Sequence, residues 1–107
     1  MILDVIYNTI YKAGELKREA LTYVFQYDEQ YLDTHEMPPI SVNFPKTNEP
    51  FISDYLFPYF QAMLSEGDNR KKISNALGID PSDDWNLLAH TCEKDTIGAI
   101  TIKRTEK

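Results

Sequence analysis

Residues 21–27 read LTYVFQY, and their side chains alternate between large apolar residues and a second series of smaller or polar ones. An alternation with a period of two is the pattern of a β-strand that has one buried face. The buried face of this stretch would carry Leu21, Tyr23, Phe25 and Tyr27. The sequence therefore predicts a sheet with one side against a hydrophobic core.

Two more extended stretches precede this strand. Residues 2–7 are apolar and rich in β-branched side chains, and residues 10–16 form a second run that is interrupted by Gly14. Asn8 and Thr9, between them, have turn chemistry. Three strands so close in sequence predict an antiparallel meander.

The alternating apolar pattern ends after residue 27. Residues 28–37 are polar, and Pro38-Pro39 excludes a helix through that point. A short strand is predicted over residues 40–44, because Ile40, Val42 and Phe44 alternate with polar residues. A loop is predicted over residues 45–52.

The second half of the sequence has a helical period. Leu56, Phe60, Met63 and Leu64 fall at i, i+4, i+7 and i+8 and predict a helix that Ser53 or Asp54 caps. Pro58 must then lie in or near its first turn. Gly67 interrupts the pattern.

A second helix is predicted to start near Asp68 and to end at Gly78, a residue suited to the left-handed position after a helix. Its inner face would carry Ile73, Ala76 and Leu77. We expect the two helices to form a hairpin.

A third helix is predicted to begin around Pro81, with Ser82 or Asp83 as its cap. Its apolar stripe consists of Trp85, Leu88, Ala89 and Cys92. A last strand follows over residues 99–102. The sequence thus predicts a single α+β domain over residues 1–102, in which a mainly antiparallel sheet of about four to five strands is packed by two to three helices, with a charged tail over residues 103–107.

Composition narrows the classes of function. The net charge of −6 argues against nucleic-acid binding, which needs clustered Lys and Arg, and Arg70-Lys71-Lys72 is best explained as a solvated helix face. Cys92 is the sole cysteine, so no intramolecular disulfide is expected. Neither a signal peptide nor a membrane span is expected, and a cytoplasmic location follows.

The sequence shows no convergent catalytic pattern. His35 lies in a polar stretch, and His90 is two residues from Cys92, a spacing that does not share a helix face. The four glycines stand apart, so no phosphate-binding glycine loop is expected. Acids at 80, 83 and 84 are better explained by helix capping than by a metal. We expect no enzyme activity, cofactor or metal.

The chain also has a surplus of aromatic side chains. Tyr55, Phe57, Tyr59 and Phe60 lie so close together that one helix face cannot bury them all. Aromatic residues are enriched at protein interfaces. Although most of these rings are expected in the core, some ring surface should be available to a partner.

Taken in order, four segments resemble the N-terminal subdomain 1 of HipA-like kinases. Residues 27–32 are similar to that family's F-x-Y-D-x-x-Y-L segment, and residues 38–45 to its P-P-L-S-x-x-L-P strand. Residues 57–67 resemble its F-F-x-x-L-L-P-E-G helix and loop, and residues 84–99 its D-x-F-x-L-L-A and D-x-x-G-A elements. Two departures from the pattern matter: Ser65 stands where the family usually has Pro, and Trp85 replaces the commoner Phe.

The resemblance implies a function in protein binding. In full-length HipA proteins this subdomain precedes the kinase core, and a free-standing copy resembles the HipS antitoxins of HipBST systems. The implied partner is a HipT/HipA-like serine/threonine kinase toxin, which the chain would bind and inhibit in trans, with a HipB-like DNA-binding protein as a further candidate member of the complex. No direct contact with nucleic acid or membrane is implied.

The predicted contact element is the loop Leu64, Ser65, Glu66, Gly67 and Asp68, because a helix end broken by glycine can enter a cleft. Tyr59 is a further candidate. Trp85 is an alternative anchor, although its place in the helical stripe favours the core. Two other functions stay open: the chain could complete and activate a split HipA-like kinase, or it could be a small-molecule binding domain unrelated to kinases.

Overall fold

A computed structural model describes residues 2–8, 10–64, 66–91 and 99–104. Within these ranges the chain forms five strands and four helices, so the predicted α+β class is confirmed with one or two more short helices than expected. In chain order the elements are β1 (Ile2–Tyr7), β2 (Tyr11–Glu19), β3 (Thr22–Tyr27), α1 (Glu29–Asp33), β4 (Phe51–Ser53), α2 (Pro58–Gln61), α3 (Gly67–Leu77), α4 (Asp84–Thr91) and β5 (Ile100–Arg104).

The described strands form one antiparallel sheet with the order β4-β3-β2-β1-β5. The predicted meander of β1, β2 and β3 is confirmed. The last strand returns to pair with the first, and it reaches Arg104, two residues beyond the predicted end. Leu21 was expected on the buried face, but it lies in the turn before β3 and is exposed.

One face of the sheet is apolar and the other is polar. The apolar face contributes Leu3, Val5, Leu16, Phe25, Tyr27, Ile100 and Ile102 to the core. On the polar face Lys12 lies between two acids, with its Nζ 2.8 Å from Glu15 Oε2 and 3.5 Å from Asp4 Oδ1. The fold therefore has two layers, with the core between the sheet and the helices.

Gly14 is required by the spacing of the strands. It pairs with Val5 on one side and with Tyr27 on the other, next to a register shift in the β1–β2 ladder. A Cβ atom at this position would lie 2.3 Å from the carbonyl oxygen of Gln26. Any side chain would force β2 and β3 apart, so the glycine permits the close approach.

The segment between β3 and β4 differs most from expectation. Residues 29–33 form α1, for which the sequence had predicted no element, and residues 51–53 form β4, most of which had been predicted as a loop. The strand predicted over residues 40–44 is wrong: Phe44 N–H bonds back to Ser41 O at 3.0 Å, which makes a tight turn. Val42 at the tip of this turn is 95% exposed, and Phe44 is buried.

We call residues 38–46 the strap, because tyrosine hydroxyls hold this segment against the sheet. Tyr27 Oη donates a hydrogen bond to Phe44 O and accepts one from Ile40 N–H at 3.0 Å. Tyr31 Oη donates to Pro38 O at 2.6 Å. These side-chain bonds satisfy backbone groups that a strand would have paired in a ladder, which explains why the strap is not a strand.

The end of the strap is fixed by a lysine. Lys46 Nζ donates to Thr34 O at 2.9 Å and to Met37 O at 2.8 Å, and it lies 5.4 Å from the centre of the Tyr31 ring. The lysine therefore ties the strap to the end of α1.

Phe44 inserts from the strap into a cluster of aromatic rings. Its ring centre lies 5.1 Å from that of Phe25, 5.0 Å from Phe51 and 5.2 Å from Phe57. Phe60 is fully buried beside them. Edge-to-face pairs at such distances add to the stabilisation from burial.

The helix predicted around Leu56, Phe60, Met63 and Leu64 is much shorter in the structure. Only Pro58–Gln61 is helical, with Pro58 at its start and Phe57 as an extended cap residue. A helix cannot continue upstream because the residue before a proline avoids the helical region. Met63 and Leu64 nevertheless point into the core through the turns that follow.

The helix α3 ends at Gly78, which has a φ of 70°, as predicted. Its inner face was predicted wrongly: Ser74 is buried, Ile73 is partly buried, and Ala76 and Leu77 are exposed. The predicted hairpin of helices is also wrong, because α2 is a single turn that packs against α4.

The helix α4 follows the predicted stripe. Trp85, Leu88 and Ala89 are buried, and Asp83 Oδ1 accepts a hydrogen bond from Asn86 N–H at 3.2 Å, as a capping residue does. Cys92 and the other residues of the 92–98 segment lie outside the described residues.

Candidate partner-binding site

The predicted contact loop leads into the first turn of α3. Glu66 precedes the helix in an extended conformation with φ −128°, and Gly67 follows with φ +63°. This left-handed conformation favours glycine. A Cβ atom at Gly67 would meet no heavy atom within 4 Å, so backbone conformation and not space requires the glycine.

Two acidic side chains mark this helix start. Glu66 and Asp68 are exposed, and Glu66 makes no side-chain capping bond to the helix. Carboxylates near a helix N-terminus are stabilised by the positive end of the helix dipole. The arrangement presents negative charge to solvent on both sides of a residue without a side chain.

The basic residues of α3 are used differently from one another. Arg70 forms an ion pair with Asp84, and its Nε donates to Pro81 O at 2.7 Å. Lys71 and Lys72 are exposed. Arg70 therefore anchors α3 to the start of α4, and the predicted solvated face applies to the two lysines.

The other predicted contact residues divide between core and surface. Leu64 is buried, and Trp85 is 3% exposed, with its ring 5.8 Å from Tyr23. Both belong to the core, as the helical stripe had favoured for Trp85. Ser65 lies outside the described residues, so the exposed part of the predicted loop consists of Glu66, Gly67 and Asp68.

Tyr59 belongs to a second surface. It is half-buried, with its ring 5.2 Å from Phe60 and 6.0 Å from Phe44, and burial raises the pKa of its hydroxyl. We call the depression beside it the β4 groove. This groove has a volume of about 420 Å³ and is lined by Asn43, Phe44, Phe51, Ile52, Phe57, Pro58 and Tyr59.

Sequence reasoning did not identify this groove. Its lining comes from the strap, β4 and α2, which are brought together by the fold and which the sequence had placed differently. The surplus of aromatic residues was the available signal. Tyr55, one of those residues, is 67% exposed, whereas Phe57 and Phe60 are buried.

Asp80 and His90, which sequence reasoning had weighed as candidate metal-binding or catalytic residues, each have a local structural partner. Asp80 Oδ1 accepts from Ser82 N–H and Oγ, both at 2.8 Å, and these bonds lower the pKa of Asp80. His90 Nδ1 lies 2.8 Å from Asn86 O, which places its proton on that nitrogen. Over the described ranges, no group of three or more His, Cys, Asp or Glu side chains could hold a metal ion. In the same ranges, no helix is long and apolar enough to span a membrane.

These features define a small two-layer α+β domain with an exposed acidic helix start and an aromatic-lined groove. The family model described as HipA N-terminal domain matches residues 3–103. The chain belongs to the HipA N-terminal domain family.

A solved structure described as "N-terminal domain of HipA toxin" has the same fold. It matches with a TM-score of 0.73 and 28% sequence identity, over 99% of this chain and 93% of that one. The residues of the resemblance, Tyr27 and Tyr31, are therefore those that hold the strap in this fold.

Two bacterial relatives differ in how much of their own length the match to this chain covers. The Sinorhizobium fredii protein named "Putative kinase Y4mE" is 38% identical over 64 residues, which are 60% of this chain and 15% of that protein. An uncharacterized protein of Haemophilus influenzae is 32% identical over 94 residues, 88% of this chain and 84% of its own length. The chain thus spans a small part of the kinase-named relative and most of the second one.

Proposed function

We propose that this chain is an antitoxin that binds a HipA-like serine/threonine kinase in trans and inhibits it. The observation that carries the proposal is the match to the HipA N-terminal domain over residues 3–103. A Sinorhizobium relative that is named as a kinase contains the matching segment as 15% of its length, and a Haemophilus relative has nearly the length of this chain. These two relatives support the proposal, because one carries the segment within a protein named as a kinase and the other matches over most of its own length.

The contact element in this proposal is the exposed start of α3. Glu66 and Asp68 would pair with cations of the kinase, and Gly67 would let the backbone approach closely because it has no side chain. A negatively charged element suits a kinase, whose nucleotide site must carry positive charge to bind phosphates. We assign the complex to the cytoplasm, with a HipB-like DNA-binding protein as a candidate further member.

Phosphoryl transfer by a purified HipA-like kinase from the same organism, measured with and without the purified chain, tests the proposal. Inhibition lowers transfer to a substrate and to the kinase itself. An increase would show instead that the chain completes a split kinase. No association at all would contradict both functions and would favour a domain that binds a small molecule.

A matched pair of double variants tests the contact element. Glu66→Gln with Asp68→Asn should weaken kinase binding about tenfold or more, because it removes two charges that the partner would neutralise. Glu29→Gln with Asp33→Asn makes the same change in charge on the exposed face of α1 and should leave binding unchanged. Equal effects of the two double variants would show that only net charge matters.

A further inference from the structure

The two edges of the sheet carry different side chains. The edge strand β5 ends in Lys103 and Arg104, which are exposed, and charges on an edge discourage pairing with another chain. The edge strand β4 has Ile52 at its centre, 66% exposed. Its described pairing is with β3 alone, so the other side of its backbone faces away from the sheet. An apolar edge of this kind can accept an added strand.

The β4 groove lies directly beside this edge. Phe51 and Ile52 belong both to the strand and to the lining of the groove. In a strand every second side chain points to the same side. A segment that paired with β4 would therefore place alternate side chains over the groove, whose volume of about 420 Å³ is near the lower end for binding pockets.

The charged side chains of the segment that contains β4 are all acidic. Residues 47–69 contain four acidic side chains and no lysine or arginine. Two of these acids are exposed and flank β4: Glu49 lies two residues before the strand, and Asp54 follows it immediately. A second copy of this chain would bring the same carboxylates close to each other, which is unfavourable, whereas a segment with lysine or arginine at its ends would neutralise them.

We propose that β4 and its groove bind an extended segment of a partner protein that has alternating apolar residues and basic flanks. The segment adds a strand to the free edge, places its apolar side chains over the groove and the side chains between them beside Ile52, and pairs its flanking cations with Glu49 and Asp54. The proposal goes beyond the antitoxin function, since it does not require the partner to be a kinase.

Two synthetic peptides provide the test. Each has alternating leucine and threonine; one carries two lysines at each end, and the other carries two glutamates. The lysine peptide should bind the intact chain and shift the backbone amide resonances of residues 51–54, 57 and 59. The glutamate peptide should bind about tenfold more weakly or less, because it meets like charge. Resonance shifts elsewhere, or equal affinity of the two peptides, would overturn the proposal.

Variants separate the apolar part from the charged part. Ile52→Asp should reduce lysine-peptide affinity about tenfold or more, because it removes the exposed apolar side chain at the centre of the edge strand. Glu49→Lys with Asp54→Lys should reverse the preference to the glutamate peptide. Leu77→Asp places the same charge on exposed apolar surface of α3 and should have no effect.

The outcome can be distinguished from that of the antitoxin proposal. If the kinase binds the chain and Ile52→Asp leaves both kinase and peptide affinities unchanged, the β4 assignment is wrong and the antitoxin function stands. If the lysine peptide binds at β4 but no kinase associates, the antitoxin proposal fails and the β4 site stands.

Discussion

The aromatic rings around the strap are held in place by apolar packing, whereas the helix α3 is held mainly by polar contacts. Phe25, Phe44 and Phe60 are buried and touch one another in the centre of the core. In α3, by contrast, Ser74 is the fully buried residue of the described helix, and Arg70 links the helix to α4 through polar contacts. The first region supplies stability, and the second supplies accessible surface.

This difference indicates where binding and folding can be changed independently. Regions with few buried apolar contacts open locally at lower free energy than the core does. A contact element at the start of α3 can therefore adjust to a partner without disturbing the rings. The β4 groove is the intermediate case, because its floor consists of the rings themselves.

The largest effect should come from Phe44→Ala. Removing this ring leaves a cavity among the aromatic side chains and should lower the free energy of unfolding by about 3–5 kcal/mol. Leu77→Ala, on the exposed side of α3, should change it by less than about 0.5 kcal/mol. Urea denaturation measures both, and similar losses would show that α3 is as much part of the core as the strap.

The next largest effect should come from Gly14→Ala. Its methyl group would be forced against the Gln26 carbonyl, which should lower the free energy of unfolding by about 1–3 kcal/mol. Gly67→Ala has space for its methyl group and should cost about 1–2 kcal/mol through its left-handed φ. Gly67→Asn should recover part of that loss because asparagine tolerates this conformation, whereas Gly14→Asn should not. Thermal unfolding of the four variants distinguishes crowding from backbone strain.

Tyr27→Phe removes a hydroxyl that serves two backbone groups of the strap. The free energy of unfolding should fall by about 1–3 kcal/mol, since Phe44 O and Ile40 N–H would both lose their hydrogen-bond partner. Hydrogen exchange should become faster at Ile40 and stay unchanged in α4. Unchanged exchange at Ile40 would mean that the strap is held by Phe44 packing alone.

Tyr31 makes the strap sensitive to alkaline pH. Burial, followed by the neighbouring tyrosines, raises the pKa of Tyr31 from 10.0 to about 12. Because the folded state holds the proton more tightly, this contribution to stability is complete below pH 10 and is lost as the pH rises toward 12. Urea midpoints across this range should fall for the natural chain and fall less for Tyr31→Phe, which lacks the titrating group.

The smallest effect should come from Arg70→Met. The pair with Asp84 is partly exposed, so its loss should cost about 0–1 kcal/mol of global stability. Amide exchange in α3 should nevertheless increase while that of β1 to β3 stays unchanged. A uniform increase would show that α3 unfolds only together with the sheet.

Local patterns sufficed for part of the fold. The alternation of residues 22–27, the stripe of Trp85, Leu88 and Ala89, and the left-handed Gly78 were all predicted correctly. The strap was not, because tyrosine hydroxyls distant in sequence satisfy its backbone and leave residues 51–53 to occupy the edge of β3. Hydrogen bonds between residues that are distant in sequence produce no periodic pattern in the sequence, so they could not be predicted from it.

The position of the candidate contact loop was also predictable only in part. Gly67 and its two acidic neighbours lie in an exposed helix start, as a glycine-interrupted pattern indicates. Burial of Leu64 depends on turns after a one-turn helix that the apolar stripe had made too long. The β4 groove needs three segments whose relative positions the sequence had not established.

The pairing of β5 with β1 constrains how the chain acquires its structure during synthesis. The β1–β3 meander can form from neighbouring residues soon after they leave the ribosome, but Val5 pairs with Ile102, which lies almost the whole length of the domain further along the chain. Until that pair forms, β1 has an unpaired edge, where an emerging polypeptide is prone to join the wrong neighbour. The β1–β5 pair should therefore form later in folding than the meander.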